Sequence, residues 1–145
     1  MKQDLKKDAF DFYEMIRSLD DVYEKYAKSF GLSYSTLYIL HLVSLRENCT
    51  QKELCELMYL PKQTVHSMIH LFLERGLMEM RALPQDRRQK TLHLTEKGKA
   101  YAAGILPKIE EAETQSMAQF HADERALLLR LMKRYAEVFE KELLG

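Results

Sequence analysis

Two histidines, two cysteines, a run of cations and a set of tyrosines are the residues of this 145-residue chain whose types and spacing suggest chemistry. His66 and His70 stand at i and i+4, which places both imidazoles on one face of a helix. That is a zinc-ligand spacing, but the metalloprotease signature needs Glu directly after the first His, and position 67 is Ser. With no third ligand nearby, no metal or other cofactor is expected. Cys49 and Cys55 are six apart, outside any Cys-x-x-Cys array, and fit a reducing cytoplasm. Cys49 immediately precedes a helix-capping Thr50, so its thiol is expected near a helix N-terminus, where a thiol pKa is lowered and a redox role becomes conceivable. No Cys/His/Asn set, no Gly-x-Ser-x-Gly and no glycine-rich phosphate loop occurs, so no enzyme is expected.

The cations are more informative, because they follow a helix of groove-reading size. Thr50-Gln51-Lys52-Glu53 matches a capping box, which opens a short helix carrying Leu54, Leu57 and Met58 on its buried side. Leu60-Pro61 breaks it, with Pro61 suited to the first position of the next helix. In that second helix, Val65, Met68, Ile69 and Phe72 fall in one apolar arc. Gln63, Ser67, His70 and Glu74 point the other way, with Lys62, Thr64 and His66 on the shoulders. Gly76 ends the helix. A hairpin follows, with Leu77, Met78, Met80 and Ala82 on one strand and Thr91 to Leu94 on the other. Its tip, Pro84 to Lys90, is too polar to pack and carries Arg87, Arg88 and Lys90, with Asp86 placed to hold the tip in shape. Hydrogen-bonding groups on a helix, followed by a cationic hairpin tip, suit the major groove of duplex DNA and the adjacent minor groove.

The elements around this unit are helical. Phe12, Ile16, Leu19, Tyr23, Tyr26 and Phe30 step by four and three along a helix from Asp8 to Phe30, the spacing of a helix–helix seam. Gly31 ends it, and Ser33 caps a second helix running to about Arg46. Thr95 to about Met117 reads as one longer helix that Pro107 should kink. A last helix carries Leu127, Leu128, Leu131, Tyr135, Val138, Phe139 and Leu143. The terminal helices hold more apolar surface than a small domain can cover, which favours a shared homodimer core. Tyr13, Tyr23, Tyr26, Phe30, Tyr34 and Tyr38 are the candidate aromatic lining of a small-molecule effector site, with Tyr13, Tyr34 and Tyr38 its foremost members.

The totals agree with a single folded domain. The apolar fraction of 46% supports a core, and the net charge is zero. Its distribution is uneven: Pro61 to Lys99 holds eight basic residues against four acidic, a net +4 between acidic flanks. Lys2 to Asp8 is charged with no apolar run behind it, so neither a signal peptide nor a membrane span is expected, and the cytoplasm is the expected compartment.

At three stretches the sequence resembles the MarR family of winged-helix transcriptional regulators. These are Thr50-Gln51-Lys52-Glu53-Leu54, Leu73-Glu74-Arg75-Gly76-Leu77, and Asp86-Arg87-Arg88 leading to Leu94-Thr95-Glu96-Lys97-Gly98. The resemblance implies a mainly α fold with a small β-hairpin wing, a winged helix-turn-helix flanked by N- and C-terminal dimerisation helices. It implies one MarR-type domain over 1–145, with a DNA-binding lobe at 31–99 and a dimerisation lobe from 1–30 and 100–145. By the same resemblance, a homodimer would bind a pseudo-palindromic operator, with Arg88 in the minor groove and Lys62 to Ser67 at the major groove. The regulator would be a repressor released by a small molecule, often phenolic, or by an oxidant. Ser67 departs from the family, where many relatives carry Arg, so a bidentate guanine contact is lost there. A winged-helix protein-interaction module without DNA binding is the alternative, and the retained Arg87 and Arg88 argue against it.

Overall fold

A computed structural model describes Met1–Gly145 in full, as two compact units, Met1–Ala103 and Gly104–Gly145. The first opens with α1 (Lys2–Lys28), longer at its start than the aromatic seam alone predicts. It closes at Gly31, whose φ of +72° allows the N–H of Leu32 to reach back to the Ala27 carbonyl at 3.1 Å. Next comes α2 (Tyr34–Leu45), capped as expected by Ser33, whose Oγ accepts the Thr36 N–H at 3.1 Å. A second tie joins the helices: Glu24 of α1 accepts the Tyr34 N–H at 2.9 Å. The helix α2 is the centre of the core, with Leu37, Ile39 and Leu40 at or below 1% exposure.

Three strands follow where sequence suggested two. The short β1 (Cys49–Thr50) pairs antiparallel with β3 (Lys90–Leu94), which pairs antiparallel with β2 (Met78–Ala82), in the order β1-β3-β2. Cys49 faces Leu92, and Met80 faces Leu92 from the other side, so the middle strand is fixed from both edges. Two residues are too few to show a period, which is why β1 carried no alternation signal.

Between β1 and β2 lie α3 (Gln51–Met58) and α4 (Lys62–Glu74). The predicted capping box is present: Thr50 Oγ1 accepts the Glu53 N–H at 3.1 Å, and Glu53 accepts the Thr50 N–H at 3.3 Å. Of the apolar residues assigned to the buried side of α3, Leu54 is fully buried, while Leu57 remains 37% exposed. Pro61 is the N-cap of α4 rather than its first residue, with ψ at 149°. The result is the same, since a missing N–H costs nothing at either place. Val65, Ile69 and Phe72 of α4 are fully buried, as their arc requires. Gly76 at φ +68° closes α4, letting the Leu77 N–H reach Phe72 O at 2.9 Å and its own N–H reach Leu73 O at 3.1 Å.

The predicted long helix from Thr95 to Met117 is two helices, α5 (Glu96–Ala103) and α6 (Leu106–Met117). Pro107 sits in the first turn of α6, where no N–H is needed. The chain breaks at Gly104–Ile105 instead of kinking through the proline.

In the second unit, α7 (Ala122–Leu144) begins with Glu124 accepting the His121 N–H at 2.7 Å. No residue of α6 or α7 is buried. Leu127, Leu131, Tyr135, Val138, Phe139 and Leu143 are 41–66% exposed, an apolar stripe along most of the helix. On α1 the same holds for Phe10, Leu19 and Val22, at 62–64% exposure.

Candidate nucleic-acid interface

The site is assembled on the first unit by α4 and by the loop joining β2 to β3. Because Val65, Ile69 and Phe72 anchor α4 in the core, helical geometry sends Lys62, Gln63, Thr64, His66, Ser67 and His70 to solvent, and all six are exposed. The start of α4 is also tied to α3, where Gln51 Nε2 donates to Lys62 O at 3.3 Å.

Several of these side chains are already engaged. Ser67 Oγ donates to the Gln63 carbonyl one turn back at 3.0 Å. The imidazoles of His66 and His70 lie nearly parallel with centroids 6.2 Å apart, and His70 Nε2 meets Glu74 Oε1 at 3.0 Å. No group of three metal-ligating side chains forms in the chain. Glu74 thus draws His70 toward the C-terminal half of the helix. That leaves Lys62, Gln63, Thr64 and His66 as the exposed polar surface of the first turns.

The tip of the β2–β3 hairpin is ordered by one carboxylate. Asp86 Oδ1 accepts the Arg88 N–H at 3.0 Å, and the Asp86 carbonyl accepts the Gln89 N–H at 3.1 Å. Below them, the Leu83 N–H meets Gln89 O at 3.0 Å. Asp86 therefore folds the tip, and Arg87, Arg88 and Lys90 project from it exposed. No ion pair engages these three cations or Lys62, whereas Arg81 is held by Glu79 on its own strand and Lys99 by Glu96. Lys62 and the three cations of the hairpin tip are thus exposed with no carboxylate partner.

The base of the hairpin is set by the Thr95-x-x-Gly98 sequence. Thr95 Oγ1 donates to Gly76 O at 2.6 Å and accepts the Gly98 N–H at 3.0 Å. The Thr95 N–H reaches Leu77 O at 3.1 Å, and Lys97 Nζ reaches Arg75 O at 3.0 Å. Gly98 lies so close to Leu77 that a Cβ would overlap the Leu77 carbonyl. The end of α4, the start of β2 and the start of α5 are thereby joined at one point. At the sheet, Thr91 is buried with its hydroxyl 3.2 Å from Arg81 O and 2.7 Å from His93 Nε2. Burial and the nearby Arg81 lower the His93 pKa.

The geometry is that of a helix-turn-helix with a cationic wing, and known proteins match it. The MarR family model matches residues 30–89. A solved structure of NMB1585, a MarR family regulator from Neisseria meningitidis, is 32% identical, with a TM-score of 0.76 over 92% of this chain and 94% of that one. The chain belongs to the MarR family. That family consists of transcriptional regulators rather than enzymes. The transcriptional repressor NicR of Pseudomonas putida is 26% identical over 102 residues, which is 69% of this chain; the chain spans 65% of that relative's length. The fold is also that of MepR from S. aureus, solved in complex with DNA, at a TM-score of 0.77 and 14% identity over 90% of this chain and 95% of that one.

Within this family member the tyrosines assigned to an effector site do not all meet. Tyr34 stacks on Tyr23 of α1 at 4.8 Å and approaches Tyr38 at 6.4 Å, and Tyr38 stacks on His41 at 6.2 Å. Tyr13 lies elsewhere on α1, under the Arg17 guanidinium at 5.9 Å. Tyr23, one of the wider aromatic set, is the α1 ring that meets Tyr34. Cys49 departs from its expectation in direction. It is fully buried, and burial together with the Glu53 carboxylate pushes its thiol up to about 11. The helix N-terminus is nearby, but desolvation outweighs it.

Proposed function

We propose that this chain is a homodimeric repressor that binds a pseudo-palindromic duplex-DNA operator. Residues 31–99 form the reading lobe, and 1–30 with 100–145 form the dimerisation lobe. The observation that carries the reading is the pairing of an exposed polar α4 with a hairpin tip whose Arg87, Arg88 and Lys90 have no carboxylate partner. Unpaired exposed cations gain most from phosphate, because no internal ion pair must be broken first. Lys62, Gln63, Thr64 and His66 meet the major groove, while Ser67 and His70, turned onto their own helix, contribute less. Arg88 enters the minor groove, and Asp86 acts by folding the tip. MepR, a protein of the same fold, has been solved in complex with DNA, in line with duplex binding.

Dimerisation is supported by the uncovered apolar stripes of α7 and α1. Two copies place their wings about one helical turn apart, roughly 34–36 Å. Release by an aromatic or phenolic molecule at Tyr34 and Tyr38, beside Tyr23, is favoured over thiol oxidation, because the Cys49 thiol is protonated and buried. A MarR of S. aureus has been solved with salicylate and kanamycin, in line with ligand control. The same reading puts the protein in the cytoplasm, with the DNA it binds. No helix is long and apolar enough to cross a membrane.

The test is Arg88→Ala in an operator titration at fixed salt, with an expected loss of about 1–3 kcal/mol. Unchanged affinity removes the wing from the interface.

A further inference from the structure

Tyr59 closes α3 in a left-handed cap that the turn requires but that a tyrosine side chain disfavours. Its φ of 54° and ψ of 37° lie in the left-handed region, which glycine and asparagine adopt readily and an aromatic residue does not. The strain is not repaid by burial, since Tyr59 is 94% exposed, the most exposed aromatic side chain of the protein. The turn itself needs only main-chain groups: the N–H groups of Tyr59 and Leu60 both reach the Cys55 carbonyl, the latter at 3.3 Å. Leu60 tucks partly inward while Tyr59 stands out. A glycine would make the same turn more cheaply.

We propose that Tyr59 is a DNA-backbone contact, its hydroxyl donating to a phosphate oxygen beside the entry of α4 into the groove. This rests on the DNA-binding reading above. Tyr59 is three residues before Lys62, so its Cα lies within roughly 11 Å of the first residue of α4 even for an extended chain. If the first turns of α4 face the duplex, the α3–α4 turn runs along the flanking phosphates. A tyrosine hydroxyl is among the donors that fix a protein's register on phosphate without reading sequence.

The experiment compares Tyr59→Gly and Tyr59→Phe with the full-length wild type, using duplex fragments selected by the wild-type protein, titrated across a salt series. Tyr59→Gly should raise the melting temperature by relieving strain and yet lower DNA affinity about tenfold, opposite signs that a purely structural turn residue cannot give. Tyr59→Phe should show a similar affinity loss with an unchanged salt slope, because a neutral donor releases no counterion, whereas Lys62→Ala should lower the slope by about one unit. Wild-type affinity in both Tyr59 variants overturns the assignment while leaving the DNA-binding reading intact. If the wild type itself binds no duplex at low salt, both fall.

Discussion

Replacing Gly98 by alanine tests the joint beneath the wing. Elsewhere in a helix this change gains stability, by about 1 kcal/mol from propensity alone. Here the new methyl would overlap the Leu77 carbonyl, which is backbone and cannot rotate away. The first turn of α5 must move outward, and the bonds from Thr95 to Leu77 at 3.1 Å, Thr95 to Gly76 at 2.6 Å and Lys97 to Arg75 at 3.0 Å lengthen together. Overpacking costs about 1–3 kcal/mol. Two or three weakened hydrogen bonds add about 1 kcal/mol each. Set against the helical gain, the net loss is about 2–5 kcal/mol, or roughly 5–20 °C in melting temperature for a chain of this size. Urea unfolding followed by far-UV circular dichroism reads the stability, with exposed Lys99→Ala on the same helix as control, expected within about 0.5 kcal/mol. A Gly98→Ala protein as stable as wild type, or more so, would refute the close-packed joint.

Two further outcomes follow from local chemistry. Thr50→Ala removes half of the capping box on α3 and should cost about 0.5–2 kcal/mol in the same unfolding assay; no loss would mean that the side-chain bonds to the first turn contribute nothing. Cys49 has a folded pKa of about 11 against an ordinary value of 9.0, so the unfolded chain releases its proton first as pH rises. Its contribution is complete below pH 9 and is lost toward pH 11, a decline that Cys49→Ala should flatten. In the native protein at neutral pH, Cys49 should resist alkylation, and rapid labelling at that position would contradict its burial.

Much of the fold could be read from single residues, because their chemistry acts locally. Ser33, the Thr50–Glu53 box and Gly76 mark helix ends through bonds made within a few positions. The two-faced character of α4 was equally legible, since Val65, Ile69 and Phe72 repeat at helical spacing and are all buried. The tip's dependence on Asp86 followed from an acid placed two residues before an amide it reaches. What failed depended on distant partners. The strand at Cys49–Thr50 exists only because β3 passes beside it. The break near Gly104 separates helices that share one hydrophobic period, and Pro107 fits either reading. Cys49 illustrates competing effects: sequence shows the helix start but not the burial that governs the thiol. Tyr13 and Tyr34 look alike in the sequence, and only the packing of α1 on α2 selects Tyr23 as the ring that meets Tyr34.

Selection of bound duplexes from a random pool by the full-length protein tests the central claim most directly, because the protein itself then chooses the operator sequence. Two wings presented by a symmetric pair of chains should enrich an inverted repeat whose half-sites lie about 10–10.5 base pairs apart, centre to centre. Enrichment of nothing above the starting pool at low ionic strength would contradict it.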